Sequence, residues 1–328
     1  MDKKIRVGIC GYGNLGRGVE SEIAKNPDLE LVAVFTRRKS DGTLNIKSNV
    51  PLVHVDSAID WKDKIDVMIL CGGSAHDLPT QGVEFAKIFN TVDSFDTHAK
   101  IPEYFNSVDT SARAGNNISI ISIGWDPGLF SIMKLYMGAI IPKGQTYAFW
   151  GKGVSQGHSG AIRGIEGVED AIQYTLPVEE AMERVRRGEN PELTTREKHT
   201  RLCYVVAAEG ADKKRIESEI KNMPNYFSDY DTMICFVSHD ELKANHSKLM
   251  HGGNVIHTGE TGDGNKQVIE FSLKLDSNPE FTASVLIAYA RAAHKLSDKG
   301  ESGARTVFDI PPILLSGQDK AEVVKNLL

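Results

Sequence analysis

The chain has 328 residues, 41% of them hydrophobic and 25% charged, with a formal net charge of −6. That length suits about two domains, each able to bury its own core. The acidic balance argues against a general binder of nucleic acid or of anionic membranes, while leaving room for a local basic site. No stretch approaches the length of a membrane span, and the N-terminus lacks a basic region followed by an apolar signal core, so a cytoplasmic protein is expected. The four cysteines, Cys10, Cys71, Cys203 and Cys235, are scattered, and the ten histidines contain no H-E-x-x-H. No metal site is expected, and Cys10 and Cys71 read as buried free thiols.

Ile5-Arg6-Val7-Gly8-Ile9-Cys10 is a short apolar run that leads directly into Gly11-Tyr12-Gly13-Asn14-Leu15-Gly16. Leu15, Val19 and Ile23 then recur at four-residue spacing, the buried stripe of a helix. Asn26-Pro27-Asp28 breaks the chain, and residues 29–35 form a second strand-like run. Strand, glycine turn, helix and strand make the context in which such glycines predict a dinucleotide site. Gly11 permits the tight turn, Gly13 lets backbone approach a pyrophosphate, and Gly16 lets the helix pack closely on the strand. The helix start offers unpaired N–H groups and a positive dipole end to the phosphates. About twenty residues further on, an NAD enzyme carries an acidic residue for the ribose 2′-hydroxyl. Here the strand ends in Thr36-Arg37-Arg38 instead. A carboxylate would repel a 2′-phosphate, whereas a guanidinium holds it through two parallel hydrogen bonds, so the expected cofactor is NADP.

Val53-His54-Val55 suggests a short strand, and residues 66–71 suggest one buried on both faces. The latter runs into Gly72-Gly73-Ser74, at the strand end where open parallel sheets bind ligands. Residues 83–89 are helical in pattern, 91–95 a strand, 101–114 a helix and 118–122 another strand, which ends in Gly124-Trp125-Asp126-Pro127-Gly128. This alternation implies right-handed crossovers and a Rossmann-type doubly wound parallel α/β sheet. The pattern then changes. Leu129 to Ile140 is an apolar helix, 146–150 a strand and 151–159 a flexible polar loop with several donors. Val178, Met182 and Val185 line one side of a charged helix, and residues 201–208, 232–238 and 266–275 read as strands. Long strands without regular helices between them suggest an inserted α+β domain with a largely antiparallel sheet. Residues 281–295 form a final apolar helix expected to return to the first domain. The expected domains are 1–126 with 279–328, and 127–278.

Two carboxylates fall at the ligand edge of the first sheet. Asp96 follows the strand at 91–95 and Asp126 the strand at 118–122. A carbonyl reductase would more naturally place a His, Lys or Tyr donor there, whereas two acidic groups suit an amine that must be held and deprotonated. Local roles stay open as well: Asp126 before Pro127-Gly128 suits a turn, and Asp96 beside Thr97 suits a cap. Carboxylate anchors should come from the second domain. There Arg201 opens an apolar strand, His251 precedes Gly252-Gly253, and Asn278 closes the strand at 266–275.

The five motifs Gly11–Gly16, Phe35–Arg38, Cys71–Ser74, Asp93–His98 and Gly124–Gly128, with Ser155–Ser159 and His251–Gly253, resemble the meso-diaminopimelate dehydrogenase family along nearly the whole chain. The resemblance implies NADP-dependent, reversible oxidative deamination of meso-2,6-diaminopimelate at its D-centre. The products would be L-2-amino-6-oxopimelate, which cyclises to tetrahydrodipicolinate, ammonia and NADPH, in lysine and diaminopimelate biosynthesis. It places cofactor contacts on Gly11, Tyr12, Gly13, Asn14, Leu15, Gly16, Thr36, Arg37, Arg38, Cys71, Gly72, Gly73, Ser74, Ser94, Phe95, Asp96, Trp125, Asp126, Pro127, Gly128 and Leu129. Substrate contacts fall on Asp96, Asp126, Trp150, Gln156, Gly157, Thr175, Arg201, His251 and Asn278. Asp126 is assigned the proton transfer and Asp96 the positioning of the amine. The resemblance also implies a homo-oligomer built on dimers, with the interface in the second domain. Competing readings are a reductase like dihydrodipicolinate reductase or homoserine dehydrogenase, neither of which uses ammonia, and an NADPH-sensing regulator.

Overall fold

A computed structural model describes residues 4–38 and 44–328. It divides into two compact units, one made of residues up to Ile132 together with Pro279–Leu328, the other Met133–Asn278. In the first unit β1 (Ile5–Cys10) lies between β2 (Leu29–Thr36) and β4 (Val67–Leu70), parallel to both. Covered on both faces, these strands read as continuous apolar runs: Val7, Ile9, Val67 and Ile69 are all fully buried. Helix α1 (Asn14–Ile23) joins β1 to β2, and β3 (Leu52–His54) extends the sheet beyond β2. On the other side follow α2 (Leu78–Ala86), β5 (Thr91–Asp93), α3 (Ile101–Gly115) and β6 (Ile118–Ile120). Both α2 and α3 begin with a proline in their first turn, where its missing N–H costs nothing, and α3 ends on Asn116 in the left-handed conformation.

The chain continues through α4 (Leu129–Ile140) into the second unit, which is built on two sheets. Its elements in order are β7 (Gly144–Trp150), β8 (Gly153–Val154), α5 (Gln156–Arg163), β9 (Val168–Pro177), α6 (Glu179–Arg186), α7 (Thr195–Lys198), β10 (His199–Ala207), α8 (Lys213–Lys221), β11 (Asp231–Phe236), α9 (His239–His246), β12 (His251–Thr261) and β13 (Asn265–Leu275). One sheet runs β11-β10-β9-β8 and the other β13-β12-β7. Pairing is antiparallel except between β10 and β11, which α8 joins as a parallel crossover.

Several expectations need correction here. Residues 151–159 are not a loop throughout: they contain β8 and the start of α5, whose N-cap is Ser155. Small and polar residues hid that helix, because its buried contacts are only Ser159 and Ile162. Arg201 is the third residue of β10 rather than the first. Asn278 does not close a strand; it opens a helix, with its N–H donating to the Leu249 carbonyl. That helix, α10 (Asn278–Ser297), is not the last element, since β14 (Gly303–Arg305) and α11 (Lys320–Leu327) follow it.

β14 pairs parallel with β6 and completes a seven-stranded sheet in the order β14-β6-β5-β4-β1-β2-β3. The C-terminal return thus supplies an edge strand as well as a helix. On α10, Arg291 is buried and bonds to both carboxylate oxygens of Asp28, to Asn26 and to the Leu315 carbonyl, tying the return to the turn before β2. From β1 the strand order runs outward through β2 and β3, then restarts at β4 on the other side. The switch point lies between the ends of β1 and β4. Among the described residues, no helix is long and apolar enough to cross a membrane, and no group of three His, Cys, Asp or Glu is placed to hold a metal.

Candidate functional site

Gly11 and the Cys71–Ser74 turn leave the sheet at that switch point. Gly11 has φ +96°, and a Cβ on it would lie 3.0 Å from the carbonyl carbon of Cys71. A Cβ on Gly16 would collide with the Gly11 oxygen, so both glycines are required by the protein's own packing. Gly13 differs. A Cβ there would meet nothing within 4 Å, and the open side is where a phosphate needs room. Gly13 is also the N-cap of α1 and contributes no side-chain bond to the helix start, which leaves N–H groups available to an anion. A groove of about 250 Å³ beside it is lined by Gly11, Tyr12, Gly13, Thr36, Arg37 and Arg38, among others.

Arg37 and Arg38 are both exposed at the end of β2. Thr36 Oγ1 accepts from the Arg38 N–H, and Arg37 Nη2 donates to Asp77 Oδ1 at 2.6 Å. The other oxygen of Asp77 accepts from the Gly73 N–H at 2.8 Å, so one carboxylate couples the Gly72-Gly73 turn to the basic end of the groove. Arg37 keeps further donors for a phosphate. The cofactor residues drawn from the sequence divide by exposure: Tyr12, Phe95 and Trp125 are buried. Phe95 stacks on Tyr104, Trp125 meets Phe130 edge-on, and the Tyr12 hydroxyl donates to Glu20. Their side chains serve packing, and of the three only Tyr12 lines the groove.

The two aspartates assigned to the amine sit on loops fixed by a third, Asp93, to which the sequence pattern gave no role. Asp93, at the end of β5, is buried and accepts from the N–H groups of Phe95 and Ser122 and from the Tyr104 hydroxyl at 2.7 Å. Burial pushes its pKa above the usual carboxylate value, against the pull of those three donors. Its carbonyl accepts from Ile123, so the segments after β5 and β6 are held together. Asp96 is exposed, with its N–H bonded to Ser74 Oγ at 2.9 Å. Asp126 is half-buried before Gly128, where φ is +131° and any Cβ would collide with the Gly124 oxygen, so only glycine is admitted.

The second unit brings Thr175, Arg201 and Gly153 into one register row across β8, β9 and β10, continued by Thr232 on β11. Arg201 is 6% exposed, has its guanidinium carbon 3.8 Å from the centre of the Tyr230 ring, and donates through Nη1 to Thr175 Oγ1. Its Nε finds no partner, and no carboxylate pairs with it among the described residues. Burial draws its pKa below the usual arginine value. A dehydrated guanidinium of this kind is costly unless an anion completes it.

Around it are two neutral imidazoles. His158 bonds to Ser155 Oγ, His199 accepts from the Trp150 N–H at 2.8 Å, and burial pulls both pKa values down to about 4. His199 also stacks on the Trp150 ring at 5.0 Å. His251 opens β12, takes the Gly252 N–H on Nδ1 and lies where any Cβ on Gly153 would fall. Gln156 and Gly157 are exposed in the first turn of α5, next to the Ser155 cap, while Asn278 belongs to the start of α10. His199, Gln173 and Tyr230 were not expected at this surface. The alternation of His199, Arg201 and Cys203 on one face of β10 was the available signal.

A doubly wound sheet with an open glycine turn and an arginine pair after its second strand defines a dinucleotide-dependent oxidoreductase of the Rossmann class. Residues 124–277 match the family described as Diaminopimelic acid dehydrogenase C-terminal domain. A meso-diaminopimelate D-dehydrogenase of Ureibacillus thermosphaericus is 62% identical over 325 residues, covering 99% of each chain. The solved diaminopimelate dehydrogenase of C. glutamicum in complex with DAP is 44% identical, with a TM-score of 0.92 over 100% of both chains. An engineered D-amino acid dehydrogenase bound to NADP+ is also 44% identical, with a TM-score of 0.86 over 99% of this chain and 100% of its own. The chain belongs to the meso-diaminopimelate D-dehydrogenase family.

Proposed function

We propose that the protein catalyses the reversible, NADP-dependent oxidative deamination of meso-2,6-diaminopimelate at its D-centre. The products are L-2-amino-6-oxopimelate (in equilibrium with tetrahydrodipicolinate), ammonia and NADPH. Full-length identity to the family supports the reaction. The single structural observation that carries the substrate class is Arg201, a buried guanidinium with an unpaired Nε and no carboxylate partner among the described residues. It asks for a carboxylate from outside the chain, as the distal end of a dicarboxylic amino acid provides.

The roles follow from donor and acceptor chemistry. NADP, when bound, supplies the hydride acceptor. Gly13 and the start of α1 take its pyrophosphate, and Arg37 and Arg38 take its 2′-phosphate. Asp126 removes a proton from the substrate's D-side ammonium, so that nitrogen's lone pair can drive loss of the α-hydrogen. Asp96 holds that nitrogen in place. Arg201 and Thr175 bind the distal carboxylate; His251, Asn278, Trp150, Gln156 and Gly157 orient the rest of that end. Water then adds to the iminium carbon and ammonia leaves. A cytoplasmic homodimer joined through the second unit fits this reading, with Met233 and Val268 of that unit exposed. The working test is ammonia dependence in the reductive direction. NADPH oxidation with tetrahydrodipicolinate should require ammonium, and turnover without it would point instead to a reductase of the dihydrodipicolinate type.

A further inference from the structure

We propose that Gln173 is a positioning residue that fixes Thr175 as a hydrogen-bond donor toward the substrate's distal carboxylate. The inference rests on the reading that Arg201 and Thr175 hold that carboxylate. Gln173 precedes Thr175 by two residues on β9 and therefore shares its face of the sheet, where it is wholly buried. Its register partner is Cys203, two residues beyond Arg201.

The argument is one of hydrogen-bond capacity. A threonine hydroxyl has one proton to donate and two places to accept. Thr175 Oγ1 accepts from Arg201 Nη1 and, at 3.4 Å, from Gln173 Nε2. A guanidinium never accepts, so with both acceptor places occupied the hydroxyl proton must point away from Arg201 and from Gln173. Among the described residues Gln173 Oε1 has no partner, and it does not receive that proton in this arrangement. The opposite amide orientation would turn the Thr175 proton inward and leave both amide N–H groups unpaired, where the observed one leaves the oxygen and one N–H; an orphaned buried N–H is the rarer of the two. The pair thus presents only donors, namely the Thr175 O–H and the free Arg201 Nε–H. A carboxylate, which only accepts, can take the Thr175 proton; an ammonium in its place cannot, which favours one orientation of a substrate that carries both groups at each end.

Five variants test this by steady-state kinetics with meso-diaminopimelate: Gln173→Met, Gln173→Glu, Thr175→Val, the Gln173→Met/Thr175→Val double variant, and Arg201→Lys. The expected result for Gln173→Met is a KM for substrate raised about three- to tenfold, the worth of one neutral hydrogen bond, with kcat within about twofold and the KM for NADP unchanged. In the Thr175→Val background the same change should have no further effect, because the hydroxyl it orients is gone. Gln173→Glu, which offers an acceptor to the Thr175 proton, should raise KM more than Gln173→Met does, and it serves as the second test if the Met variant folds poorly. The proposal is overturned if Gln173→Met leaves KM unchanged while Arg201→Lys raises it. It is equally overturned if the Gln173 and Thr175 effects multiply, or if Gln173→Met lowers Tm and kcat with KM unmoved. An unchanged KM in Arg201→Lys would instead remove the carboxylate anchor itself, a separate and distinguishable failure.

Discussion

The two units carry different materials at their candidate ligand surfaces. The first offers backbone and exposed side chains: an open glycine, an uncapped helix start, and two arginines at the end of a strand. The second offers buried side chains, with Arg201 at 6% exposure and Gln173 and Thr175 packed beside it. Exposed groups interact through water and each contributes modestly, whereas a dehydrated charge discriminates strongly because a wrong partner leaves it unpaired. On the proposed assignment the cofactor would be held by many small contributions and the distal end of the substrate by a few large ones.

The largest expected effect falls where the reacting amine is proposed to sit. Asp126→Asn keeps the size and an acceptor but removes the basicity, and oxidation should slow by about a hundred- to ten-thousandfold while NADP affinity changes little. Full activity in that variant would free Asp126 from the proton. Next comes Arg201→Lys, which keeps the charge and loses the planar fork; KM for diaminopimelate should rise about ten- to a hundredfold, with NADP binding by fluorescence titration intact. Arg37→Ala should cost less, about tenfold in NADP affinity relative to NAD, because this arginine is 67% exposed and already donates one hydrogen bond to Asp77. Equal weakening of both cofactors would mean that it does not read the 2′-phosphate.

The smallest effect is on stability. His158 and His199 stay neutral in the folded protein down to about pH 4, whereas unfolded histidines take up protons near pH 6.5. The unfolded chain binds more protons between those values, so stability should fall as pH is lowered from about 6.5 toward 4. His199→Gln, which can still accept the Trp150 N–H, should flatten the fall in Tm over that window; an unaltered slope would show that His199 does not contribute to it.

The same contrast explains what was legible in the sequence. The glycine turn, the arginines after β2 and both aspartates lie within a few residues of apolar strands, so period and spacing located them. The second surface is assembled by register between β8, β9, β10 and β11, which local pattern does not encode. Thr175, Gln156 and Gly157 were reached only through the family resemblance. Gln173 and His199 were not reached at all, because a polar residue inside a strand looks the same whether it faces solvent or a buried guanidinium. The start of α5 was missed for want of an apolar stripe, and β14 because three residues carry no period.

The most direct test of the account is the choice among isomers. If Asp96 and Asp126 take the reacting amine while Arg201 and Thr175 take the far carboxylate, the two ends of a symmetric dicarboxylate meet different surroundings. NADP reduction, followed spectrophotometrically with meso- and L,L-diaminopimelate, should proceed with the meso isomer and be nearly absent with the L,L isomer. An L-centre at the reacting position exchanges hydrogen and amine, so the carboxylates and the hydride acceptor cannot both be served. Comparable turnover of the L,L isomer would contradict the assignment of the two ends.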